Sequence, residues 1–380
     1  MLMPSTRKAI AMRSLLVTLL VAGLAAAAAL AQDKKEPAPK KPAVAPRSRA
    51  ESAVTLKVGD AAPALKASQW LQGDEVKGFE SGQTYVVEFW ATWCGPCIVM
   101  MPHMAEMQAQ YKDKGVRFIG YTAKDPNNGE EKVTQFVKKR GPKLKYTFAY
   151  SDDRETYNAW MQAAGQGGIP CSFVVDKAGK IAFIGHPLYL DVALPKILDG
   201  TWKGAAELED LEKDVNEAFA ALRGRDAEAS LKALADFDGR HPALAKIPYF
   251  IGPKIELLLK ADRAGDARTM ADKVMQQAIK QDDPMALRAV SAAMRSDSAK
   301  GDKECLALSV KAAEALLASA GDKDVMALFN MAETHFAAGD RAKAKEFGQK
   351  AVDAAETKGA KQSIEQRIKR YDAESKDEGK

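Results

Sequence analysis

The stretch Tyr85-Val86-Val87-Glu88-Phe89-Trp90-Ala91-Thr92-Trp93-Cys94-Gly95-Pro96-Cys97 decides the fold. Tyr85 to Trp90 is a short apolar run with β-branched and aromatic residues, which predicts a buried strand. From Ile98 to Tyr111 the pattern is helical. Two cysteines separated by two residues therefore stand where a strand hands over to a helix. The first turn of a helix carries unpaired N–H groups and a partial positive charge, so a thiolate on Cys94 is favoured there near neutral pH. Cys97 lies one turn further in, within reach of a mixed disulfide formed on Cys94. An exposed attacker and a buried resolver are what thiol–disulfide exchange requires. The same spacing occurs in zinc half-sites and in structural disulfides. A tetrahedral zinc site needs four ligands, and the other cysteines, Cys171 and Cys305, are isolated.

Phe89 to Cys97 resembles the active site of thioredoxin-fold thiol–disulfide oxidoreductases, and Ala91-Thr92-Trp93 is most similar to their extracytoplasmic TlpA/ResA-like (redoxin) branch. Gly168-Ile169-Pro170-Cys171-Ser172-Phe173-Val174-Val175-Asp176-Lys177-Ala178-Gly179-Lys180-Ile181 is similar to that family's cis-proline strand, turn and following strand. The resemblance covers residues 54–203. It implies an α/β thioredoxin-like domain with a mixed central sheet and helices on both faces. It also implies catalytic roles for Cys94, Cys97, Glu88 and Pro170, with no cofactor and no metal. Glu88 stands where thioredoxins carry a buried acid that relays protons. Desolvation in an apolar strand raises a carboxyl's pKa and suits it to general acid–base work. Pro170 is the expected cis-proline, presenting Ile169 to substrate backbone, and Trp93, Gly95, Pro96, Ile169 and Cys171 complete the implied docking surface. Cys171 departs from the pattern, which has Thr there, and either sheet face is open to its side chain. Gly95-Pro96 also occurs in thioredoxins that act as reductants. The implied partners are protein disulfides or dithiols and an upstream electron donor.

Around this segment the chain alternates strand and helix signals up to about residue 203. Strands are predicted at Val116 to Thr122, Tyr146 to Tyr150, Ser172 to Asp176 and Ile181 to Gly185. Helices are predicted at Glu130 to Lys139, Arg154 to Ala164 and Leu190 to Leu198, and Pro102 is expected to kink the helix after the cysteines. From residue 204 to 380 the strand signals stop, and an Ala-, Leu-, Lys- and Glu-rich helical domain is expected. Gly224-Arg225-Asp226, Gly265-Asp266, Gly301-Asp302 and Gly339-Asp340 recur at roughly 40-residue intervals, and the last unit is similar to a tetratricopeptide repeat. A plain helical bundle is the other reading. The change in pattern predicts that a chain ending near Gly204 folds by itself. Such a helical domain would recruit a partner or fix the catalytic domain on an assembly.

The first 31 residues read as a signal peptide. Arg7, Lys8 and Arg13 precede an apolar run from Ser14 to Leu30, and Ala29-Leu30-Ala31 fits the small-x-small cleavage rule. Export to a periplasmic or other extracytoplasmic compartment is expected, and membrane anchoring by residues 14–31 is the alternative. Residues 32–53 form a Lys-, Pro- and Ala-rich linker without apolar periodicity. The 380 residues carry 46% hydrophobic and 28% charged side chains with a net charge of +5, an ordinary globular balance that does not suggest nucleic-acid binding. Two competing functions remain at this level. One is a thiol peroxidase, although the Pro-x-x-x-Thr-x-x-Cys context of peroxiredoxins is absent. The other is a copper-handling or scaffold protein, because His103 lies among Met100, Met101, Met104 and Met107, which are soft ligands.

Overall fold

The computed structural model describes residues 54–372, apart from 247, 300, 356 and 357. The expected signal peptide, its membrane-anchor alternative and the expected linker all lie outside the described residues. Six strands form one mixed sheet: β1 (Gln69–Gln72), β2 (Thr84–Phe89), β3 (Val116–Ala123), β4 (Thr147–Ser151), β5 (Cys171–Val175) and β6 (Ile181–Gly185). Their spatial order is β1-β4-β3-β2-β5-β6. β2, β3 and β4 run parallel, and β5, β6 and β1 antiparallel to their neighbours. Every residue of β2 is buried. That is why it reads as a continuous apolar run, since helices cover both faces of a parallel core.

The pleat of β2 sorts its side chains. Val86 and Trp90 join the cluster that holds α1 (Gly95–Tyr111) and α2 (Glu130–Leu144). Tyr85, Val87 and Phe89 join Trp160, Met161 and Phe173 on the other face. α1 continues through Pro102, which removes one backbone hydrogen bond without ending the helix. α2 outlasts the expected Lys139 and passes through Gly141-Pro142. Val133, Val137, Gly141 and Leu144 share its buried face and carry it to Lys145, whose φ of 60° closes it. The segment predicted as one helix from Arg154 to Ala164 is instead a single turn, α3 (Glu155–Tyr157), followed by a π turn at Asn158–Gln162 that buries Trp160 and Met161. α4 (Leu190–Asp199) follows β6. β1 has no counterpart in the sequence reading, because Gln-Trp-Leu-Gln on a half-buried edge has no clean alternation.

Among the described residues the remainder is helical: α5 (Ala205–Ala221), α6 (Ala227–Arg240), α7 (Pro248–Lys260), α8 (Ala264–Gln281), α9 (Pro284–Met294), α10 (Lys303–Ala320), α11 (Val325–Ala337), α12 (Arg341–Ala354) and α13 (Lys358–Ile368). Three of the recurring Gly/Asp marks are helix starts. Asp226, Asp302 and Asp340 accept backbone N–H groups as N-caps of α6, α10 and α12. Asp266 instead lies inside the first turn of α8, paired with Arg263 at 2.6 Å. Asp283 and Asp324 cap α9 and α11 without a preceding glycine, so the mark and the helix period are only partly in step.

The helical part does not hang free of the sheet domain. One hydrophobic cluster runs from Val86, Cys97 and the α1 methionines through Leu190, Ala193 and Leu194 of α4. It continues to Leu211 and Val215 of α5, Phe237 of α6, and Phe250 and Leu257 of α7. Lys139 of α2 donates to the Ala320 carbonyl at 2.8 Å, and Lys143 pairs with Asp282. A continuous core couples the two parts, against the expectation that a chain ending near Gly204 folds by itself. Denaturant unfolding of the full chain is therefore expected as one transition. Phe250→Ala, at a fully buried ring stacked on Phe219, should lower stability by about 3–5 kcal/mol in that transition. Two transitions, with only one moved by the substitution, would mean separate cores.

Candidate active site

Cys94 is the N-cap of α1, with Gly95 and Pro96 in the first turn. Pro there costs nothing, because its missing N–H would have been unpaired. The Cys97 backbone N–H donates to Cys94 Sγ at 3.2 Å, and a disulfide joins the two cysteines. Cys97 is completely buried and Cys94, the expected exposed attacker, is itself only 4% exposed; the exposed neighbour is Trp93, at 55%. The indole Nε1 of Trp93 donates to Asp125 Oδ2 at 2.9 Å.

The loop before the cysteines is held from the turn Asp125-Pro126-Asn127-Asn128 that follows β3. Asn128, fully buried, accepts from the Thr92 backbone N–H at 2.9 Å and from its hydroxyl at 2.8 Å. Its amide donates to Thr122 Oγ1 at 2.8 Å and to the Ala123 carbonyl at 3.1 Å. The Thr122 hydroxyl in turn donates to the Trp90 carbonyl at 2.6 Å. A buried network with its donors and acceptors paired holds one arrangement of the loop. The Asp-Pro-Asn-Asn run at 125–128 was the available signal, but turn residues do not announce which loop they brace.

The Ile169–Pro170 peptide is cis. β5 starts directly after it, and Cys171 pairs with Phe89 at the end of β2. This register sets Pro170 beside the beginning of the active-site loop, with Ile169 half-buried. Cys171 itself alternates with Phe173 and Val175 onto the sheet face opposite α1, where it is 2% exposed. Burial pushes its thiol up to about 12. The expectation that Cys171 helps form the docking surface is corrected here, because the pleat turns its side chain inward.

Glu88 lies on the α1 side of β2, opposite Gly120 of β3 and Ser172 of β5, and is 1% exposed. Both carboxyl oxygens lack a hydrogen-bond partner among the described residues. Burial pushes the carboxyl from its ordinary 4.5 up to about 8. The methionines of the copper reading, Met100, Met101, Met104 and Met107, are all core. His103 bonds Asp191 at 2.7 Å. Burial opposes its charge, but Asp191 and Glu106 outweigh that and push it up to about 9. Its imidazole is committed to carboxylates, which does not fit a soft-metal site.

Residues 57–187 match the Redoxin family. The FixW protein of Rhizobium leguminosarum is 32% identical over 41% of this chain and 72% of its own length. The thiol–disulfide oxidoreductase ResA of Bacillus anthracis is 32% identical over 33% of this chain and 68% of its own. The chain belongs to the redoxin family. A solved thioredoxin-like protein in its oxidised form aligns with 37% of this chain and 96% of its own, at 17% identity and a TM-score of 0.32. Within the redoxins the chain falls in the ResA-like branch of thiol–disulfide oxidoreductases, with Cys94–Cys97 as its Cys-x-x-Cys pair.

The environment of Glu88 gives a test with a definite sign. A carboxyl neutral in the fold contributes stability that is complete below its ordinary range and lost as pH rises through about 8. Glu88→Gln should therefore gain stability relative to the parent as pH is raised from 5 to 8.5, read from urea midpoints. Parallel pH curves for the two proteins would place the charge of Glu88 in water.

Proposed function

We propose that this chain is an exported thiol–disulfide oxidoreductase that acts chiefly as a reductant of protein disulfides. The observation that carries the reading is the Cys97 N–H aimed at Cys94 Sγ at the start of α1, which favours a thiolate on Cys94. In the reduced protein, Cys94 attacks one sulfur of a substrate disulfide. That S–S bond breaks, the distal substrate sulfur leaves as a thiolate, and a mixed disulfide links Cys94 to the substrate. Cys97 gives up its proton and attacks Cys94 Sγ, which releases the second substrate thiolate. The substrate gains two electrons, and the protein is left with its Cys94–Cys97 disulfide, to be reduced by an upstream dithiol donor. Glu88, on the α1 side of the sheet, is the proposed acceptor of the Cys97 proton.

Trp93, Gly95, Pro96 and Ile169 form the proposed docking surface, with the buried cis-proline Pro170 presenting Ile169 to substrate. Trp93 and Gly95 are exposed there, which supports a substrate contact. The basic and apolar N-terminal run supports export. Residues 54–203 and 204–380 are the proposed catalytic and repeat-like helical domains, the latter recruiting a partner protein. No helix among the described residues is long and apolar enough to cross a membrane.

The experiment is a pair of substitutions assayed on insulin reduction. Cys94→Ser should abolish turnover. Cys97→Ser should accumulate a mixed disulfide with insulin, visible on a non-reducing gel, because the resolving attack is lost. Normal substrate release by the Cys97 variant would reverse the roles of the two cysteines.

A further inference from the structure

We infer that Tyr249 of the helical domain is a positioning residue that tunes the redox pair through a single peptide group. Its hydroxyl, on α7, donates to the Pro96 carbonyl at 2.8 Å. That carbonyl and the Cys97 N–H belong to the same planar peptide unit. The Cys97 N–H in turn donates to Cys94 Sγ at 3.2 Å. The chain of donors therefore runs from Tyr249 through the Pro96–Cys97 peptide to the attacking sulfur. A hydrogen bond accepted by a carbonyl polarises its amide and strengthens the bond its N–H donates, by about 10–30%. The gain is small for a disulfide sulfur and larger for a thiolate, because hydrogen bonds to charged acceptors are the stronger ones. Tyr249 thus favours the Cys94 thiolate and the reduced state.

The surroundings keep this donor in place. The Tyr249 ring meets the His186 ring edge-on at 5.8 Å. His186 Nδ1 accepts from the Leu188 N–H at 3.1 Å, and burial pushes the imidazole down to about 3, so it is neutral and adds no positive charge near the sulfur. Burial, reinforced by the Glu88 carboxyl, raises Tyr249 above its ordinary range, so its hydroxyl keeps the proton it donates. Phe250, the next residue, is locked in the shared core. The helical domain is thereby part of the redox centre and not only an appendage to it.

The inference rests on Cys94 acting as the thiolate, and Tyr249→Phe in the full-length protein tests it while keeping the ring. The midpoint of Cys94 alkylation by iodoacetamide, mapped by mass spectrometry, should rise by about half a pH unit. The Cys94–Cys97 equilibrium with a glutathione buffer should move about threefold toward the disulfide, ~14 mV at 30 mV per tenfold. Tyr249→Ala, which also removes the ring, should show at least the same two shifts. If the Phe variant matches the parent in both readouts while Ala does not, Tyr249 only packs, and the inference is overturned. If the Phe and Ala variants both match the parent, it is overturned as well. Turnover retained by Cys94→Ser would instead remove the exchange reading beneath it, so the two failures are distinguishable.

Discussion

The hydrogen bond from the Cys97 N–H to Cys94 Sγ is the contact on which the rest of the structure depends. It exists because α1 starts at Gly95 with Cys94 as its N-cap, so that the free N–H groups of the first turn meet the first cysteine. The start of α1 is fixed in turn by what lies beneath and behind it. β2 is buried on both faces and cannot slip register without moving Val86 and Glu88 to the wrong side. Asn128 and Thr122 clamp the intervening loop at Trp90 and Thr92. Tyr249 reaches the same first turn from the opposite direction. Three independent elements thus converge on about five residues, which is the preorganisation that exchange chemistry needs from its attacking sulfur.

The same convergence explains the relation between the two parts of the chain. A helical array joined only by a linker would leave the catalytic fold unaltered. Here Leu190, Leu194, Leu211, Phe237 and Phe250 belong to one core with Cys97 and the α1 methionines. α7 and the helix that carries the cysteines therefore share one packed core. The Redoxin match covers residues 57–187, so α7 and its contacts with α1 lie outside it.

The centre of the fold was legible in the sequence because its signals are local. An apolar run, a Cys-x-x-Cys and a helical pattern succeed one another, and the strands β3, β5 and β6 are bracketed by recognisable turns. What escaped was decided by distance or by pleat. β1 is polar at an edge, so its pairing with β4 supplies what its composition does not. The Trp160 segment looks like a helix by periodicity and becomes a π turn because Trp160 has to reach the core beside Phe89 and Phe173. The side taken by Cys171 depends on the register with Phe89, which no local rule specifies. Tyr249 stands 153 residues from Pro96, and nothing near it in the chain marks it as part of the site.

The most direct test of the central claim is to ask which sulfur is nucleophilic. The fully reduced protein is treated at pH 7 with one equivalent of iodoacetamide, and the modified cysteine is mapped by mass spectrometry. Cys94 should take nearly all of the label, because its thiolate is stabilised at the start of α1, whereas Cys97 has no exposed surface and burial pushes the Cys171 thiol up to about 12. Label found first on Cys97 or Cys171 would contradict the account.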